Sequence, residues 1–144
     1  MLRRYAVWLV GAFLAIPAVT VAVTGSAQAK SRGQPPSFAG LKSATTCIPG
    51  PVRLGETTSY HLRWDAAKDK RTRSRRIVYK VYQATASGGE DFSAPTYTTA
   101  PGATSFDTPK LPVEDTFYFV VRARDRAGNE DTNTVEHEGQ NLCR

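Results

Sequence analysis

The chain has 144 residues, 40% of them hydrophobic, and carries 19 Lys and Arg against 13 Asp and Glu, a formal net charge of +6. It has two cysteines and two histidines, with no C-x-x-C or H-x-x-x-H spacing, which argues against a zinc site. Its length allows one domain with one modest core.

Arg3 and Arg4 precede an apolar run over 6–23, and Ala27-Gln28-Ala29 places small residues before Lys30. A charged stretch, an apolar stretch and an A-x-A site in that order predict a secretory signal peptide over 1–29, cut after Ala29. An uncleaved membrane anchor is the rival, because the run is at the lower edge of what spans a bilayer. Gly11, Pro17 and the A-x-A site favour cleavage. The Arg pair is also compatible with twin-arginine export. Cleavage leaves 115 residues, 17 basic and 13 acidic. No cysteine beside the site suggests a lipid anchor and no Leu-Pro-x-Thr-Gly stretch suggests wall sorting, so the expected place is extracellular or in the cell envelope.

Residues 30–46 contain Gly33, Pro35, Pro36 and Gly40 without apolar periodicity, and are predicted as a flexible spacer. The domain is expected over 47–144. Pro49, Gly50 and Pro51 suit an irregular edge strand over 47–52, because proline cannot donate to a central ladder. Strand patterns follow at short intervals. Over 59–65, Tyr60, Leu62 and Trp64 face inward and His61 and Arg63 outward. Over 76–83, Ile77, Tyr79 and Val81 share a face. A short piece at 97–99 follows Ser87-Gly88-Gly89, and 104–108 turns Phe106 inward ahead of Leu111. From Phe117, the residues Phe117, Phe119, Val121 and Ala123 face the core, with Tyr118, Val120, Arg122 and Arg124 opposite. Gly128 and Asn129 then suit a turn, and a last strand is expected around Val135 over 133–137. No window has a helical period. The fold class is an all-β antiparallel sandwich.

The order of Trp64, Tyr79-Lys80-Val81, Leu111 and the Phe117 to Ala123 alternation ending in Asp125…Gly128-Asn129 resembles the fibronectin type III family. The resemblance covers about 47–135. It implies a seven-stranded immunoglobulin-like sandwich with Trp64 in the core and an adhesive, scaffolding or spacer role outside the cell. The family's tyrosine is replaced by Phe117, which loses one hydroxyl hydrogen bond of about 1 kcal/mol. Tyr118 points to the opposite face and is no substitute.

Cys47 and Cys143 bracket the domain. Two cysteines in an oxidising compartment pair as a rule, and closing so long a loop stabilises by roughly 4–5 kcal/mol in the chain-entropy model. Topology opposes this, since the first strand of such a sandwich begins and the last ends about 20–25 Å apart. An intramolecular bridge is expected, with intermolecular pairing or free thiols as alternatives.

The loop 65–76 holds Lys68, Lys70, Arg71, Arg73, Arg75 and Arg76 against Asp65 and Asp69. Such a cluster attracts polyanions. The blander reading, favoured at this point, is a solvated loop partly neutralised by Asp125, Glu130 and Asp131 of a neighbouring turn. No aromatic residue is interleaved to stack bases, so specific nucleic-acid binding is not expected.

His61 and His137 have no spacing that makes a nucleophile pair with either cysteine, and a disulfide would remove the thiolate. Glu90-Asp91, Glu114-Asp115 and Glu130-Asp131 are adjacent pairs whose members point apart in extended chain. Glu130 and Asp131 lack the spacing of an EF-hand. Ser87-Gly88-Gly89 is too short for a phosphate cradle, and Arg32-Gly33 is followed by Gln34 rather than Asp. The expectation is no enzyme, no metal and no cofactor. Two functions remain. The first is an exported interaction module that meets a protein, polysaccharide or envelope component through loops or sheet edges. The second is a structural spacer without a specific ligand, membrane-tethered only if the leader is kept.

Overall fold

A computed structural model describes residues 33–143; the predicted leader lies outside the described residues. The chain forms β1 (Leu41–Thr46), β2 (Thr57–Thr58), β3 (His61–Trp64), β4 (Val78–Ala84) and β5 (Tyr97–Thr98). It continues with β6 (Ser105–Asp107), β7 (Leu111–Pro112), β8 (Tyr118–Arg124), β9 (Glu136–Glu138) and β10 (Gln140–Asn141). One four-stranded sheet has the order β10-β1-β3-β6 and the other β5-β4-β8-β9, with β2 and β7 paired apart. The fold is all-β, as expected. It has ten strands rather than seven among the described residues, and one sheet is mixed rather than antiparallel, because β10 runs parallel to β1.

The longest ladder joins β4 and β8 from Val78 opposite Arg124 to Ala84 opposite Tyr118. Their alternating β-branched and aromatic residues fit a pleated surface covered on one side. Tyr79 and Val81 of β4 with Ile77 just before it, and Phe119, Val121 and Ala123 of β8 with Phe117 just before it, are buried against Tyr60, Leu62 and Trp64. Trp64 and Tyr79 rings meet across the layers at 5.3 Å, and Tyr60 and Phe119 at 5.5 Å. The indole Nε1–H of Trp64 donates to the Ala103 carbonyl at 3.0 Å, so burying the ring leaves no orphaned donor. Phe106 and Leu111 pack on this core but stay half-buried.

Residues expected as spacer belong to the fold. β1 occupies 41–46, and Leu41 and Ala44 are each only 2% exposed. Phe38 packs on Tyr79 at 5.3 Å, and Ser37 and Lys68 exchange backbone hydrogen bonds. The period of two is hidden by a bulge between Leu41 and Ser43, which turns residues three apart to the same face. The edge strand expected over 47–52 does not form; these residues are a loop. The last strand is displaced to β9, leaving Val135 40% exposed.

Val120 faces away from the core as expected, yet it is 1% exposed, and Tyr82 beside it 2%. The loop 85–96 covers this outer face. Phe92 sets its ring 5.1 Å from that of Tyr82, and Arg122 lies 3.6 Å above Phe92. Glu136 of β9 ties the loop down, accepting from Ser87 Oγ at 2.7 Å and Gly88 N–H at 2.6 Å. Burial, then a 2.6 Å hydrogen bond to Glu130, raises the Tyr82 hydroxyl well above the ordinary tyrosine range.

Cys47 and Cys143 are disulfide-bonded, with Cα atoms 4.7 Å apart. The topological objection fails because Cys47 follows the end of β1 rather than opening the first strand. β10 runs parallel to β1 and ends beside it, with Leu142 N–H on the Thr46 carbonyl at 3.0 Å.

Candidate anion-binding face

The loop between β3 and β4 is built from its backbone outward. Asp69 Oδ1 accepts from the N–H groups of Thr72 and, at 2.8 Å, Arg71, and these bonds, Thr72 first, hold its carboxyl below the usual range. A 3₁₀ turn, Ser74–Arg76, follows, closed by Ile77 N–H on the Ser74 carbonyl. Buried Ala67 pins the loop to the core, donating its N–H to the Tyr79 hydroxyl and accepting from Ser74 Oγ. With the small groups held inside, Lys68, Lys70, Arg71, Arg73, Arg75 and Arg76 are all exposed.

The turn after β8 stands beside this loop. Gly128 takes a φ of 90°, a left-handed conformation that glycine adopts readily. Both oxygens of Asp125 are engaged by Asn129, through its N–H at 2.8 Å and its Nδ2 at 2.7 Å. Asp131 accepts from Ala123 N–H and from Asn133, while Glu130 takes the Tyr82 hydroxyl. Asp125 and Asp131 are buried in these bonds. These acids thus spend their hydrogen bonds within their own turn, while Asp125 keeps its charge beside Arg76, Arg124 and Arg126. The ion pairs Lys42–Asp65 at 3.0 Å and His61–Asp107 at 2.6 Å lie elsewhere and do not join the two segments.

The turn also adds cations. Arg71, Arg73, Arg76 and Arg126 surround a cleft of about 310 Å³, with Thr72 completing the lining. A second cleft of about 350 Å³ has Arg76, Lys80, Arg124 and Arg126 on its walls, together with Asp125. Arg76 and Arg126 belong to both. Lys68 and Lys70 line a separate cavity of about 450 Å³ with Arg71 and the 33–37 segment. Arg75 lines none of these three.

Of the six cations predicted as a group, three thus converge, two turn to another side and one stands apart. Lys80, Arg124 and Arg126 were missed. Two arginines flanking the aspartate of a tight turn were the available signal, since the turn's hydrogen bonds bury its aspartate and leave the arginines outside. Among the described residues no group of three or more His, Cys, Asp or Glu is placed to hold a metal, and no helix is long and apolar enough to cross a membrane.

No family model matches this chain, and neither does any curated protein compared with it.

Proposed function

We propose that this chain is an exported, non-catalytic interaction module, a fibronectin type III-like sandwich whose arginine-rich end binds polyanions. The observation that carries the reading is the cleft in which Arg73, Arg76 and Arg126, from two separate loops, converge with no carboxylate in the lining. Bringing like charges together is unfavourable by itself, and a bound anion reverses the sign of that interaction. The open position of the clefts lets the field steer a charged polymer from solution.

The facing strand orders β1-β3-β6 and β5-β4-β8-β9 support the type III-like reading beside the residue pattern that resembles the family. The Cys47–Cys143 bridge and the leader pattern support export.

The test is retention on an immobilised sulfated polysaccharide. Retention should fall steeply with modest salt, as expected for exposed charges, and be abolished by Arg73→Glu with Arg76→Glu. Elution unchanged by that double reversal overturns the reading.

A further inference from the structure

We infer that the two arginine clefts act as one bivalent site for consecutive tetrahedral oxyanions, as carried by a phosphate-linked polyol polymer. The inference rests on the polyanion reading above and names its ligand class.

Arg76 and Arg126 stand on the ridge between the clefts, with Arg73 on one side and Arg124 and Lys80 on the other. The loop 65–77 and the start of β4 supply one group of lining residues, and the end of β8 with the turn 125–129 the other. In the first cleft all charged lining groups are guanidiniums. In the second the sole carboxylate is Asp125, whose two oxygens already accept from Asn129. Arg124 is held over the turn, its guanidinium 3.4 Å from where a Cβ on Gly128 would stand.

Guanidiniums arriving from two walls favour a tetrahedral anion. A carboxylate is planar and is satisfied by one fork on one edge. A phosphate directs its oxygens apart and can meet forks from both loops at once. No aromatic ring lines either cleft, so neither offers a stacking platform for bases. What the clefts recognise is repeated charge on a flexible chain. Two adjacent sites raise the affinity of a polymer over its monomer, because the second contact becomes intramolecular.

The experiment titrates the full-length chain, kept in non-ionic detergent, with inorganic phosphate, glycerol 3-phosphate, a glycerol-phosphate polymer and polygalacturonate. The polymer should bind about 10²-fold or more tightly per phosphate than either monomer, the scale that linkage of two sites produces. Arg126→Ser, which touches both clefts, should remove most of that gain. Arg75→Ser removes the same charge from the same end but from neither cleft, and should leave the gain intact. Both side chains are exposed, and unchanged melting transitions will show that both variants fold. Equal losses in the two variants, or no advantage of polymer over monomer, overturn the bivalent site while leaving general polyanion binding standing. Tighter binding of polygalacturonate overturns the phosphate class. Absence of binding to any polymer overturns the polyanion reading itself.

Discussion

The backbone N–H of Ala67 donates a 2.7 Å hydrogen bond to the Tyr79 hydroxyl, so the innermost side chain of β4 holds the loop that displays the arginines. Tyr79 is fully buried, and Ser74 Oγ closes on the Ala67 carbonyl from the other side. Tyr79→Phe leaves the Ala67 N–H buried without its acceptor and should destabilise by about 1–3 kcal/mol. Urea denaturation measures the loss, and faster amide exchange at Ala67 locates it. An unchanged midpoint would mean that the bond contributes nothing.

Cys47 and Cys143 are 96 residues apart in sequence. Replacing both with serine, or reducing the bridge, should lower stability by about 4–5 kcal/mol in the chain-entropy model. Denaturation with and without reductant, alongside a thiol count, checks this. A monomer with two reactive thiols before reduction contradicts the bridge.

The strap over the outer sheet face should respond to acid through two carboxyls with opposite shifts. Gly88 N–H and then Ser87 hold Glu136 below its ordinary 4.5. Its contribution is present above pH 4.5 and lost as pH falls through the lowered value. Burial, with the charge of Glu136, raises Glu90 above 4.5, so its contribution is present below pH 4.5 and lost as pH rises through the raised value. Glu90→Gln should therefore raise the melting temperature at neutral pH and flatten its decline above pH 4.5. Glu136→Gln should lower it at neutral pH. A Glu90→Gln variant less stable at neutral pH would reverse the assignment.

Gly102 has a φ of 78°, and its N–H donates to the Ile77 carbonyl at 2.8 Å. A Cβ there would stand 2.9 Å from Arg75 Cα. Gly102→Ala combines left-handed strain of roughly 1–2 kcal/mol with displacement of the basic loop's backbone. Stability and polyanion affinity should fall together, as thermal melts and column retention will show. A loss confined to stability would mean that the loop geometry is unimportant for binding.

Much of the core was legible from residue order. Tyr60-Leu62-Trp64, Ile77-Tyr79-Val81 and the run from Phe117 to Ala123 each alternate without interruption, and all are buried. β1 was illegible because a bulge breaks the alternation where the side chains are small, and its pairing with β3 supplies the regularity that its own sequence lacks. Val120 and Tyr82 misled in the other direction. Their outward position is a matter of period, while their burial depends on Phe92, ten residues beyond Tyr82.

The charge of the 65–76 loop, the bracketing cysteines and the three alternating segments follow from residue types and spacing, which act over a few positions. Whether the charge is cancelled or reinforced does not. That depends on which side chains of the two segments come to share a cleft: Asp125 is hydrogen-bonded to Asn129 at the edge of the second, and the first is lined by arginines and Thr72. The same turn then brings Arg126 to Arg73 and Arg76 across about fifty residues of sequence, a proximity created by strand pairing and closed loops. Local chemistry decides which groups a segment carries; long-range packing decides which of them meet.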